Sequence, residues 1–597
     1  MISPLDRFRG WTARRMAWSL AVLAALAVVL TLGDPGITVD EPIDVKVGRN
    51  YVAQVPELAG RVVTEGASAL DRRAIDALFA DNAQHPPLGR WLVGLASTLA
   101  EPFEAFLGGA DPLSVHPARL APALAFAVLV GVVSGFAGRR YGRGAGLVSG
   151  LALLMMPRVF AHAHFATLDT FLALSWTLAL LGANRALGHR YPMRASVLAG
   201  LLWGLALLVK IHAWLLPPLV LAVALARLRP GRALVAVLIW ASAGLAVFFA
   251  GWPWLWFDTV DRLRGYLSTS VVRMPLRVEY FGTVYLDREV PWHYPWVYFA
   301  LTVPVGLHLL GVFGAVRGFL RRRVDPLPMV LVGSIGLFLL LFSTGAPVYD
   351  GERLFLHVFP AWAILIGLGF HAAWERFRHR WLRFAMVAGV LAQGYGTLAM
   401  HPFGMSYYNG LVGGLWGAEK LGLEPTYWGD AIDPVLLAKL ARHAEPGAVA
   451  ILAPSLHHLQ PTAAMTEDLF DRHILIGAAA SAADRAAIAD AKRAERAAIV
   501  PMALYQRLAT ALPEDQRPRL LAVIPGAAGE PSAVLEADWV LIYRRSAYWD
   551  DLIRQWTARP NPVAQRQRQG VWISRFVRLP AIAASELDGR ENPFRTN

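Results

Sequence analysis

Cysteine is absent from the 597 residues of the chain. That excludes a disulfide-stapled fold and leaves the compartment open, because a cysteine-free chain suits either side of a membrane. Charge is scarce as well. Asp, Glu, Lys and Arg make up 17% of the residues, where a soluble globular chain carries about 25%. Low-complexity tracts are missing, which excludes a fibrous or disordered protein, and no internal repeat is evident. What is present is apolar. Hydrophobic residues reach 55% and the mean hydropathy is +0.41. They sit in long runs and not on periodic faces, which is the signature of a membrane protein. The 21 Trp residues fit, since the indole ring favours the boundary between lipid and water.

The net charge of +13 invites a nucleic-acid reading. That reading needs a basic face on a folded domain. Here the arginines cluster between apolar runs, a topology signal, so no nucleic-acid partner is expected.

A helix needs about 20 apolar residues to cross a bilayer. Spans read at 16–33, 117–138, 144–160, 165–184, 195–209, 211–227, 233–251, 296–316, 328–344, 354–373 and 382–400. The stretch 88–107 is ambiguous, because it holds Glu101, Glu104 and Pro102. Basic clusters decide the matter: Arg7/Arg9/Arg14/Arg15, Arg139/Arg140/Arg143, Arg185/Arg190/Arg194, Arg227/Arg229/Arg232, Arg317/Arg321/Arg322/Arg323 and Arg376/Arg378/Arg380/Arg383. All fall on the cytoplasmic side only if 88–107 lies on the outer surface as an interfacial helix. The count is then about eleven spans, with the N-terminus inside and the C-terminus outside. No convincing small-x-small cleavage site follows the first span, so it reads as an uncleaved anchor.

The expected organisation is a transmembrane domain over 1–400, with external loops at 34–116 and 252–295. A connector at 401–429 leads to an extracytoplasmic α/β domain at 430–597. Short apolar runs at 448–453, 497–500 and 539–543 read as buried strands, and the Ala-rich stretch 481–498 as a helix.

Charges at a membrane boundary are functional candidates by default. On this topology four groups share the outer face. Asp40-Glu41 follows the first span and could supply a general base or a metal-ligand pair. His85 precedes Pro86-Pro87, which fix an extended entry into the interfacial helix; a turn with a locally bonded His is the plainer alternative. His162, His164 and Asp169 loosely resemble a metal cluster, but no fourth ligand lies nearby in sequence. Asp169 opens a span, where an unpaired carboxylate is costly, so it must pair or face a wet cavity. The fourth group is cationic: Lys210 and His212, then Arg353 and His357. One helical turn separates the last two, which would put both on one face, suited to a lipid phosphate.

These segments, in this order, resemble glycosyltransferase family 39, the protein O-mannosyltransferase and lipid A aminoarabinose transferase group. The resemblance rests on VDEP, HPPLGRWLVGL, RVFAHAHFATLDTF and GLALLVKIHAWLLPP, and spans about residues 16–400. The stretch HPFGMSYYNGLVGGLWGAEKLGLEPTYWGDAI resembles a bacterial branch of that family. The resemblance implies the GT-C fold and an inverting transfer from a polyprenyl-phosphate-linked sugar on the outer face of a bacterial inner membrane. It places Asp40 as the base and Asp169 as a second loop acid that organises the site. By position, Glu41 joins them as a catalytic candidate. Lys210, Arg353 and His357 are assigned to the donor phosphate, and His85 and His164 to substrate positioning. The acceptor is an envelope lipid, a glycan or a protein. The C-terminal region lacks the β-trefoil of eukaryotic O-mannosyltransferases, which argues against assuming a protein acceptor. Asp40, Glu41 and Asp169 could hold a divalent ion, although members using a single lipid phosphate generally need none, and no metal ligand is assigned. A transporter or lipid flippase is the competing reading; it predicts paired halves with interrupted helices, and the sequence shows no such symmetry.

Overall fold

The computed structural model describes residues 4–81, 85–106, 115–269, 275–443, 450–454, 474–476, 497–499, 539–549, 551–558 and 562–578. It is mostly helical, with small sheets toward the C-terminus. Each apolar stretch expected to span forms helix. Several helices open on proline in the first turn, as at Pro157, Pro192 and Pro230, where a missing N–H costs nothing.

Among the described residues, four helices are long and apolar enough to cross a membrane alone: Thr12–Val29, His116–Tyr141, Pro230–Gly251 and Arg353–Arg376. The last is 94% buried along its apolar window, against 28% for the first and third, so it is the central post of the bundle. Several expected spans are not straight, two of them sharply. The one at 296–316 is split into Tyr294–Leu301 and Val305–Leu320, bent by 113°. Pro304 enforces that break, because it cannot continue the hydrogen-bond ladder. The one at 144–160 breaks at Met156, which takes an extended conformation before Pro157 (φ −89°, ψ 100°).

The bend at 302–304 frees carbonyl groups that lipid cannot satisfy. Asn409 meets them. Its side-chain amide donates to the carbonyls of Ala300 and Val303, each at 2.7 Å, and its backbone N–H donates to Leu301 at 2.9 Å. The segment read as a connector is therefore packed into the bundle. Tyr408, Leu423 and Trp428 are all buried.

The basic loops gather at one end of the bundle. Arg140 pairs with Asp325 at 2.7 Å, and Arg227 bonds the side chain of Asn184 at 2.7 Å. Asp40, Asp169, Lys210 and Asp350 gather elsewhere, through contacts of their own described below. The helix Leu88–Phe106 is not among the helices apolar enough to span. Leu92, Leu95, Leu99 and Phe103 form an exposed stripe at helical spacing along it. Its other side crosses Glu41–Glu65 at a glycine pair. A Cβ on Gly94 would lie 2.0 Å from the Gly48 carbonyl oxygen, so only glycine allows so close a crossing.

Strands β1 (Arg277–Tyr280) and β2 (Thr283–Leu286) make a hairpin. Strands β3 (Ala450–Ala453), β4 (Ile474–Ile476), β5 (Ala497–Ile499) and β6 (Trp539–Tyr543) are followed by β7 (Ala564–Arg568) and β8 (Val571–Arg578). The larger sheet runs β3-β6-β8-β7, with β3 and β6 parallel and the other pairs antiparallel, while β4 and β5 pair separately in parallel. The strands expected at 448–453, 497–500 and 539–543 correspond to β3, β5 and β6. The expected helix at 481–498 lies outside the described residues up to 496. The hairpin β7–β8 was not foreseen. Its first strand, AQRQR, is polar after Ala564, and its turn is carried by positive φ at Gln569 and Gly570 (50° and 77°).

Gly94→Leu should drive the two crossing helices apart, at a cost of about 1–3 kcal/mol or more. A lower thermal midpoint in detergent is the expected result, and an unchanged midpoint would show that the crossing tolerates a side chain.

Candidate active site

Asp40 is the cap residue of the helix Glu41–Glu65, so the short turn after the first span fixes where its carboxylate stands. Glu41 follows it and is fully buried. Arg119 grips Glu41 with two bonds, at 2.7 and 2.9 Å. The backbone N–H groups of Thr38 and Ala166 donate to the same carboxylate at 2.8 and 2.9 Å. Arg119 also donates to the carbonyls of Leu32 and Gly36, both at 2.7 Å. One ion pair thus ties the end of the first span, the helix from His116 and the loop before Asp169. Glu41's oxygens are committed to this bracing.

Arg353 stands at the centre. Its Nε donates to Asp169 at 3.2 Å, its Nη1 to Asp350 at 3.0 Å, and its Nη2 to Asp40. The guanidinium stacks on Trp428, 4.0 Å from the ring centroid. Lys210 Nζ meets the other oxygen of Asp169 at 2.5 Å. Asp44, one turn after Asp40, pairs with buried Arg90 at 2.9 Å. Among these acids Asp40 has 34% of its side chain exposed, against 2% for Asp169 and 5% for Asp350. Asp40 can therefore meet a substrate, while Asp169 and Asp350 are held as counter-ions.

Asp350 lies in a tight turn with Gly351, both at positive φ (56° and 63°), a conformation Asp adopts more readily than most residues. The turn aims its carboxylate between Arg353 and Arg545. Burial pushes the carboxyl up, and the two guanidiniums oppose that. Next in sequence, Glu352 pairs with Arg158 at 2.7 Å, and both are buried. Burial raises Glu352 too, against the pull of Arg158.

The remaining sequence-derived residues divide. His85 is exposed at the mouth of the cluster. Crowding by the surrounding protein, with the cations Arg90 and Lys210 nearby, pushes its imidazole down. His164 is buried and tied off, with one ring nitrogen 2.8 Å from Thr31 Oγ1 and the other 3.0 Å from the Phe160 carbonyl. His162 packs against Phe165 and Trp428. Among the described residues no three metal-capable side chains gather closely enough to hold an ion. His357 departs from expectation. The segment Arg353–Val358 is a tight 3₁₀ turn kinked at Phe355 (φ −119°, ψ 23°), so the α-helical spacing that would align it with Arg353 does not hold. His357 instead sits among Trp176, Phe338 and His212, with no hydrogen-bond partner.

Reading from sequence missed Asp44, Arg90, Arg119, Arg158, Asp350, Trp428 and Arg545. Arg119 and Arg158 were findable, because each is a charge inside an apolar stretch. So was Asp44, by its helical spacing from Asp40.

Apolar helices thus surround a braced cluster of carboxylates and cations. Residues 84–257 match the family described as dolichyl-phosphate-mannose-protein mannosyltransferase. That match makes the chain a membrane glycosyltransferase and agrees with the resemblance to family 39. The matched segment holds His85, Arg119, Arg158, Asp169 and Lys210. No curated protein matches the sequence. Similar solved structures include ArnT from Cupriavidus metallidurans in the apo state, at 18% identity, 94% of this chain, 97% of that one and a TM-score of 0.45. The same protein bound to undecaprenyl phosphate has the same identity and coverage with a TM-score of 0.42. The archaeal oligosaccharyltransferase AglB from Archaeoglobus fulgidus shares 13% identity over 72% of this chain and 58% of that one, with a TM-score of 0.39.

Removing one partner of a buried ion pair strands the other, at a cost of about 3–5 kcal/mol. Arg119→Met should therefore unfold the segments it ties together or abolish expression. Arg119→Met with Glu41→Leu should recover only part of the thermal midpoint, because the backbone groups that the pair satisfied stay unpaired, and a double variant no better than the single would refute the ion pair's role.

Proposed function

We propose that the chain moves a sugar from a polyprenyl-phosphate donor to an acceptor hydroxyl, with inversion, and that Asp40 is the general base. The observation that carries this is the partly exposed Asp40 carboxylate beside Arg353, in a cluster whose other acids are buried. Asp40 takes the hydroxyl proton as the oxygen attacks the anomeric carbon. The bond from that carbon to the phosphate oxygen breaks, and the phosphate leaves with the electron pair as an anion. It needs fixed positive charge and no proton. Arg353 and Lys210 supply that charge, and Asp169 holds both cations at one place. Donor entry requires Arg353 to exchange part of its hold on Asp40 for phosphate oxygens, which frees the base as the leaving group docks.

The reading includes the finer topology: about eleven spans, the basic loops cytoplasmic, and the acid cluster and C-terminal sheets on the outer face of a bacterial inner membrane. The exposed apolar stripe on Leu88–Phe106 supports an interfacial helix there. The acceptor is an envelope lipid, glycan or protein.

Asp40→Asn keeps the shape and removes the base. Transfer should fall about 10²–10⁴-fold, with unchanged insertion and melting; near-wild-type transfer would exclude Asp40 as the base. Because the chain has no native cysteine, single cysteines report sidedness. An impermeant maleimide applied from outside should label Gly282→Cys and spare Arg322→Cys in intact spheroplasts. The reverse pattern would invert the topology.

A further inference from the structure

We infer that Arg545, delivered by the C-terminal region, balances the charge of the acid cluster so that an anionic lipid phosphate can enter it. The inference deepens the proposed function and rests on it. The buried acids around the site are matched singly: Glu41 with Arg119, Asp44 with Arg90, Glu352 with Arg158. The centre is not matched that way. Asp40, Asp169 and Asp350 surround Arg353 and Lys210, which leaves a surplus negative charge in a buried place. An arriving phosphate would add to it. Arg545 Nη2 lies 3.2 Å from Asp350 Oδ1, on the opposite oxygen from Arg353. It is buried, lies over the Tyr548 ring at 4.6 Å and has an unpartnered Nε.

Glu424 is the competing acid near Arg545. It is buried, accepts from the Ala547 N–H at 3.1 Å, and is pushed up to about 8 by burial. Its contact is to that backbone N–H, whereas Asp350 pairs directly with the Arg545 guanidinium, so Asp350 is the anion that Arg545 answers. Taking Asp350 off Arg353's account leaves Arg353 and Lys210 facing Asp40 and Asp169, a neutral set that a phosphate can join. Arg545 is a positioning residue in this scheme, since it touches Asp350 and not the substrate.

The test is binding of undecaprenyl phosphate to the full chain in detergent. Arg545→Gln should weaken binding about tenfold, and Arg545→Lys should retain most of it. Asp350→Asn added to Arg545→Gln removes the surplus charge and should bring binding within about threefold of wild type. A role in packing alone would not be rescued by that second change. Wild-type affinity in Arg545→Gln, or a double variant as weak as the single, overturns the inference. If Arg545→Gln does not fold, the double variant still decides, because it no longer buries an unpaired acid; a tenfold loss in it overturns the inference. Absence of binding by the wild-type chain would instead refute the phosphate-donor reading, and this inference with it.

Discussion

One guanidinium holds the site together. Arg353 is shared by Asp40, Asp169 and Asp350 and lies flat on Trp428. Its neighbours come from the turn after the first span, the start of the helix Asp169–Leu187, the turn before the central helix and the segment after the last span. No two of them are close in sequence. Arginine suits this post better than lysine, because its planar fork presents several donors in fixed directions and its face can stack on an aromatic ring. A buried cation with fewer partners would be destabilising, so the acids and the cation impose one another's positions.

Around that centre, bracing and reacting groups are adjacent but distinct. Asp40 and Glu41 are neighbours with opposite fates: one carboxylate stays open, and the other is closed by Arg119 and two backbone N–H groups. The braced residue keeps the open one in place. The same division recurs at Asp350 and Glu352, where one acid faces Arg353 and the other is locked to Arg158.

The helical architecture was legible in the sequence, because long apolar runs have few alternatives in lipid. Asp40, Asp169, Lys210 and Arg353 were singled out by the cost of charge at a membrane boundary, and the fold does bring them together. What was illegible depended on local geometry. The placing of His357 assumed α-helical spacing where the chain forms a kinked 3₁₀ turn. The straight span at 296–316 overlooked what Pro304 does to the ladder. Trp428 and Arg545 carry no local pattern, since an indole and a guanidinium in a polar-rich segment look like ordinary surface. The polar strand β7 was equally silent, having no apolar alternation to report it.

The bond from Asn409 to the bend at 302–304 bears on the order of assembly. The bend is made more than a hundred residues before the group that satisfies its carbonyls. As the chain emerges, that elbow must wait with its carbonyls in water or lipid while the later helices are threaded. The bend thus gains these partners only when the later segment returns to it. A chain halted before Asn409 would contain every apolar helix and still lack the latch that makes them one body.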